Sequence, residues 1–127
     1  MNREGSAVVA KVLVADDDRT CRDSIQRVLE REGYLVEAAS DVDSALAAIH
    51  ERPFDLIVCD YRMPGKNGID LLAELKRSHS GVPVLMISAY ADAATEEQAL
   101  QLGALELMRK PIRRKELLDR AAKVVGG

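Results

Sequence analysis

Lys11-Val12-Leu13-Val14-Ala15-Asp16-Asp17-Asp18 reads as a short apolar, β-rich run that ends on three consecutive carboxylates. A second run, Leu56-Ile57-Val58-Cys59, ends the same way on Asp60. A carboxylate at the tip of a buried strand is costly, because desolvating it without a partner raises its energy by several kcal/mol or more. Two such tips side by side also repel one another. At about 4 Å and an effective dielectric of about 20, each like pair costs on the order of 4 kcal/mol. Such a cluster persists only where a cation sits in it or where the repulsion serves chemistry.

Outward from these two runs, the apolar pattern changes period regularly. Strand-like runs are expected at Lys11–Ala15, Leu35–Ala39, Asp55–Cys59, Val84–Ser88 and Leu105–Arg109. Helical spacing lies between them: Ile25, Val28 and Leu29, then Ala45, Ala48 and Ile49, then Ile69, Leu72 and Leu75. A weaker stripe runs through Ala99, Leu100 and Leu102, and a fifth through Leu117, Leu118, Ala121, Ala122 and Val125. Gly33, Pro53, Gly81 and Gly103 punctuate the helix ends, and Ser40 with Asp43 resembles a helix-capping arrangement. Five strand–helix alternations predict an α/β domain whose parallel sheet is covered on both faces.

The totals agree with one globular domain. The chain has 127 residues, 47% hydrophobic and 31% charged, with a net charge of −3. Residues 1–10 are expected to form an N-terminal tail and 11–125 the domain. The mild negative charge argues against a nucleic-acid surface, and Arg113-Arg114-Lys115 reads as a solvated helix start. No apolar stretch approaches the roughly 18 residues that span a bilayer, and Met1–Ser6 lacks the apolar core of a signal peptide. The expectation is a cytoplasmic chain with no membrane contact, with Cys21 and Cys59 as reduced thiols and His50 and His79 as surface residues at helix ends.

In an open parallel sheet, ligands bind beyond the carboxyl ends of the strands. Asp16 and Asp17, Asp60, Ser88 and Lys110 fall at such ends, on strands one, three, four and five, and right-handed crossovers put them on one edge. There Asp60 can act as a nucleophile toward a phosphoryl group. Two further carboxylates suit Mg²⁺, which prefers hard oxygens, and a carbonyl from the loop after Asp60 would add to that shell. Lys110 supplies fixed positive charge for the transferring oxygens, and Ser88 a hydroxyl that can turn toward them. Gly65 and Gly68 let the loop after Asp60 turn tightly. Taken singly, each has a duller explanation: Asp16–Asp18 as a solvated loop or helix cap, Asp60 as a turn cap, Ser88 as a strand end. Their joint placement favours the chemistry.

The run Val12–Asp18, the segment Asp55–Asp60-Tyr61-Arg62-Met63-Pro64-Gly65 with Gly68, the strand Val84–Ser88-Ala89 and the pair Lys110-Pro111 together resemble the receiver domain of two-component response regulators, over about Lys11 to Val125. The resemblance implies a flavodoxin-like (βα)5 doubly wound sheet with strand order 2-1-3-4-5. It implies that Asp60 is the phosphoacceptor and that Ser88 is the switch hydroxyl. The metal set it implies is Asp16, Asp17, Asp60 and the Arg62 backbone carbonyl, holding Mg²⁺, with Asp17 a direct ligand and Lys110 beside the phosphoryl group. The phosphoryl donor would be a sensor histidine kinase or a histidine phosphotransfer protein. The domain would catalyse only its own phosphorylation and dephosphorylation, so it is not an enzyme acting on other substrates.

Three departures from the family pattern stand out. Leu107 occupies the place three residues before the lysine where Tyr or Phe is usual, which predicts altered coupling between Ser88 and the face formed by the fourth helix, fifth strand and fifth helix. Arg62 and Tyr90, each two residues beyond a site residue, are bulky enough to shield the phosphoryl group, which predicts slow self-dephosphorylation. Glu106 and Arg120 fit a charge pair used for dimerisation through that face, but Glu96 and Glu116 bring negative charge where positive is expected, so any homodimer there is weak. The alternative function is a Mg²⁺-dependent phosphatase or phosphotransferase acting on a small molecule through an aspartyl phosphate, which normally needs a cap insert. A flavodoxin-like cofactor binder is disfavoured, since Asp16-Asp17-Asp18 repels phosphate. The sequence leaves open whether the chain stands alone or works with an output domain.

Overall fold

The computed structural model describes residues 9–126, so most of the expected tail lies outside the described residues. Five strands and five helices alternate: β1 (Lys11–Ala15), α1 (Arg19–Arg31), β2 (Leu35–Ala39), α2 (Val42–Glu51), β3 (Leu56–Asp60), α3 (Gly68–Arg77), β4 (Val84–Ser88), α4 (Ala93–Gln101), β5 (Glu106–Arg109) and α5 (Arg114–Val124). The strands form one parallel sheet in the order β2-β1-β3-β4-β5. β3 begins one residue later than the pattern predicts and takes in Asp60 itself; Asp55 stays outside, its carboxylate accepting from the Lys11 amide at 2.8 Å. β5 likewise starts at Glu106, leaving Leu105 half exposed.

The alternation of side chains along each strand divides the core in two. Leu13, Ala15, Ile57, Cys59, Met86 and Leu107 face α2, α3 and α4, packing on Val42, Leu71, Leu75 and Ala99. Val12, Val14, Leu56, Val58, Ile87 and Met108 face α1 and α5, packing on Ile25, Leu29, Leu117 and Ala121. Every residue of β3 and β4 is buried, which is why these runs are continuously apolar rather than alternating. The weak fourth stripe is explained by α4, which buries only Ala99 and leaves Leu100 45% exposed.

Local chemistry sets the helix ends, and it corrects two readings. Ser40 and Asp43 do not cap α2; Asp41 does, accepting from the Ser44 amide at 2.7 Å. Gly81 does not end α3. His79 takes the left-handed conformation there (φ 59), and the Ser80 amide closes back on the Leu75 carbonyl at 2.9 Å. Gly65 has φ 78, as a tight turn requires. Gly68 serves a different need from the one its position suggested. A Cβ there would lie 2.6 Å from Met86 Sδ and 2.9 Å from the Asp60 carbonyl, so glycine lets α3 start against β3 and β4. Gly68→Ala is expected to lower stability by about 1–3 kcal/mol through overpacking, measured by urea unfolding.

Candidate functional site

The register aligns the strand ends: Ala15 beside Cys59, Asp60 beside Ile87, and Ser88 beside Arg109. The next residues therefore meet on one edge. Asp16 follows β1 and is fully buried. Its amide donates to the Ala39 carbonyl at 3.0 Å, and its own carbonyl accepts from Arg22 Nη1 at 2.9 Å. Asp16 Oδ1 accepts from the Asp18 amide at 2.9 Å. Its Oδ2 and the Oδ2 of Asp60 each lie 3.2 Å from Lys110 Nζ, so one ammonium bridges two carboxylates from strands 1 and 3. Asp17 is exposed, and one oxygen each from Asp16, Asp17 and Asp60 lie within 4.8 Å of one another.

Charge here is unbalanced by design of the fold. Burial, followed by the repulsion of Asp16, pushes the Asp60 carboxyl from 3.8 up to about 6, and Lys110 only partly opposes this. Burial works against the Lys110 charge, but Asp60 and Asp16 outweigh it and hold its pKa above the ordinary lysine value. One cation thus serves two of the three acids and leaves Asp17 outside its reach. The donor set is all hard oxygen, compact and short of positive charge, which fits Mg²⁺ and does not fit a soft metal. Among the described residues no hydrogen bond uses the Arg62 carbonyl, while the Arg62 amide lies 3.4 Å from Asp60 Oδ1.

Ser88 sits 1% exposed at the end of β4, and its hydroxyl donates to the Tyr90 carbonyl while the Tyr90 amide donates back to Oγ at 3.2 Å. The hydroxyl is thus engaged with its own loop. Leu107 is 6% exposed and packed with Ala99, Ala104 and Met86, an apolar strand residue already inside. Tyr90 is 80% exposed and Arg62 is exposed. Glu106 pairs within the chain with Arg120 at 2.7 Å.

The sequence reading left the cap within the acidic triplet open and missed other residues at this edge. Asp18 is the N-cap of α1, accepting from the Thr20 and Cys21 amides at 3.0 and 3.4 Å. The cap explanation therefore holds for one member of the triplet and not for the other two. Arg22, one helical turn beyond the cap, anchors the Asp16 backbone; the spacing from the acids was the available signal. The Cys21 thiol is half-buried beside Asp16 and Lys110, and burial and Asp16 push it up to about 11, which keeps it a thiol. Arg109 donates from Nη1 to the Ala91 carbonyl at 3.1 Å and pairs through Nη2 with Glu96 at 3.5 Å. Nothing in sequence distinguished it from any surface cation.

A five-stranded parallel sheet in this order, carrying three acids and a bridging lysine at its carboxyl edge, defines a flavodoxin-like α/β domain with an acidic site. The family model for the response regulator receiver domain matches residues 12–122, and the chain belongs to that family. It is 40% identical over 101 residues to the transcriptional regulatory protein ZraR of Escherichia coli O157:H7, covering 80% of this chain and 23% of that one. It is 38% identical over 110 residues to the transcriptional regulatory protein CpxR of Klebsiella pneumoniae, covering 87% and 47%. The chain thus spans from about a quarter to about a half of the length of these relatives. Among solved structures, a CheY-like receiver domain protein from Methanospirillum hungatei superposes with TM-score 0.88 at 30% identity, covering 93% of this chain and 94% of that one. The NtrX receiver domain of Brucella abortus gives 0.84 at 35% identity, covering 90% and 97%. The likeness to response regulators favours the receiver reading over a small-molecule phosphatase, and the longest connection between described elements, residues 61–67, leaves no cap. Receiver domains bind Mg²⁺ at an acidic pocket, and this chain gathers Asp16, Asp17 and Asp60 into an acidic cluster. No helix of the described residues is long and apolar enough to cross a membrane.

Proposed function

We propose that Asp60 is the residue that accepts the phosphoryl group, within a receiver domain spanning residues 11–125. The observation that carries this reading is the convergence of Asp16, Asp17 and Asp60 with Lys110 bridging two of them. Asp16, Asp17, Asp60 and the Arg62 carbonyl would hold Mg²⁺, which supplies positive charge for the phosphoryl oxygens when bound. An Asp60 oxygen forms the bond to phosphorus as the bond to the donor nitrogen breaks and the imidazole takes up a proton. Lys110 moves from its carboxylate partners toward the developing phosphoryl charge. The Ser88 hydroxyl donates its hydrogen bond to a phosphoryl oxygen instead of to the Tyr90 carbonyl. Loss of the phosphoryl group is hydrolysis of the same acyl phosphate, with Arg62 and Tyr90 at the rim slowing the entry of water.

The donor is a phosphohistidine on a sensor histidine kinase or a histidine phosphotransfer protein, met in the cytoplasm. The chain acts on itself rather than as an enzyme turning over free substrate. The share of the relatives it spans supports an output domain beyond these residues, which would make any nucleic-acid contact in its place. Glu96 and Glu116 each lie beside an arginine of the same chain, at 3.5 and 4.0 Å. That pairing favours a monomer or a weak homodimer.

Incubating the chain with Mg²⁺ and acetyl phosphate tests this: intact mass is expected to rise by one phosphoryl group that hydroxylamine removes, and an unchanged mass would refute the reading. Magnesium alone is expected to raise the melting temperature, since relieving the three-acid repulsion binds the metal to the folded form only. At a concentration 100 times its Kd the gain is about 2.7 kcal/mol. Chelation should reverse it, and equal stabilisation by Na⁺ at matched ionic strength would count against a specific site.

A further inference from the structure

A phosphoryl group accepted at Asp60 can act at a distance only through contacts that change with it, and position 107 offers no ring to carry such a change. Leu107 has no ring and is already buried, so an inward swing at this position has nothing to move. What connects β5 to the β4–α4 loop is the Arg109 guanidinium. Among the described residues it makes the only side-chain hydrogen bond and ion pair joining residues 89–101 to β5, one to the Ala91 carbonyl at 3.1 Å and one to Glu96 at 3.5 Å.

Arg109 is placed to read Ser88. The two residues are register partners at the last rung of the β4–β5 ladder, and the Lys110 amide donates to the Ser88 carbonyl at 2.9 Å. A serine hydroxyl has one proton to donate. While it is given to the Tyr90 carbonyl, and the Tyr90 amide is held by Oγ, the backbone through residue 90 is fixed. Residue 91, whose carbonyl Arg109 grips, follows directly. A hydroxyl turned to a phosphoryl oxygen gives up its donation to the Tyr90 carbonyl, and a side-chain rotation that carries Oγ toward Asp60 draws it away from the Tyr90 amide as well.

We propose that Arg109 is a latch: it holds the β4–α4 loop and the first turn of α4 in the unphosphorylated arrangement, and it is released when Ser88 lets go of Tyr90. This rests on the assignment of Asp60 and Ser88 above. Release frees the Arg109 and Glu96 charges on a face where α4 is only lightly anchored, burying Ala99 alone. Because the latch is satisfied in one state only, removing it makes the other state easier to reach. The contacts are half exposed, with side chains 54% and 40% accessible, so the effect is moderate.

The experiment titrates the full chain with beryllofluoride, a phosphoryl mimic, in excess Mg²⁺. Arg109→Met, which keeps the aliphatic stem, is expected to tighten apparent affinity about three- to tenfold, and Glu96→Gln to tighten it by less. A residue with a merely structural role would lower thermal stability and leave affinity unchanged or weaker. An unchanged or weakened affinity in both variants overturns the latch. Wild type and Asp60→Asn are read first: failure of wild type to bind the mimic, or binding that survives Asp60→Asn, overturns the site assignment and the latch with it. A binding wild type with indifferent Arg109 and Glu96 variants overturns the latch alone.

Discussion

Asp60→Asn is expected to keep its unmodified mass after incubation with Mg²⁺ and acetyl phosphate, under conditions where the wild type gains a phosphoryl group. An amide nitrogen and oxygen cannot form the acyl phosphate, and among the described residues no other carboxylate takes both the strand-end position and the Lys110 contact together with an open side: Asp16 is fully buried and pinned through Oδ1 and its backbone. The same variant is expected to be more stable than wild type when metal is chelated. The Asp60 carboxyl titrates at about 6 when folded against 3.8 ordinarily, because burial and then Asp16 disfavour its charge. A raised carboxyl pKa means that the folded chain binds the extra proton between about pH 4 and 6. Stability from this group is therefore present in acid, falls as pH rises through that window, and is lacking at neutrality. Asparagine carries no such charge, so the gain at pH 7.5 is roughly 1–3 kcal/mol and vanishes near pH 4. Urea unfolding in chelator at the two pH values measures it; a variant less stable than wild type at pH 7.5 would contradict the electrostatic account.

Lys110→Met should give the second large effect, with the opposite sign. Its ammonium is shared by Asp16 and Asp60 at 3.2 Å and is 19% exposed. Removing it leaves two facing acids with no cation. Phosphoryl uptake is expected to drop about 100-fold, the scale for losing one preorganised charge at a reacting centre. Chelated protein should lose about 1–3 kcal/mol at pH 7.5. At pH 5 the loss should shrink, because a protonated Asp60 asks for no counter-charge. An equal loss at both pH values would mean that Lys110 stabilises by packing its stem rather than by its charge.

These residues also mark what could be read in advance. The continuous apolar runs of β3 and β4 were legible because both faces of a central parallel strand are buried, and their ends located Asp60 and Ser88 directly. Lys110 was legible as the last strand's terminus. The convergence of Asp16, Asp17 and Asp60 followed from topology, since strand order alone puts the tips of β1 and β3 side by side. What escaped was set by rotamers and short-range competition. Whether Asp16, Asp17 or Asp18 caps α1 depends on which carboxylate meets the helix amides, and pattern is blind to that. Asp41 outcompetes Ser40 for the cap of α2 for the same reason. Which way the Ser88 hydroxyl points, and that Arg109 reaches Ala91 and Glu96 rather than solvent, depend on side-chain torsions that a one-dimensional pattern does not encode.

The buried acid between β1 and β4 carries a consequence for descent. If Asp60 is the phosphoryl acceptor proposed above, the needs of the fold and of the signal pull in opposite directions at this position. Once a lineage stops using the signal, substitution at position 60 runs downhill, and the descendant keeps the architecture while growing sturdier. Silent, hardened copies of this domain are therefore the expected by-product of its ancestry, and reversal becomes harder with each neighbour that adapts to the neutral side chain.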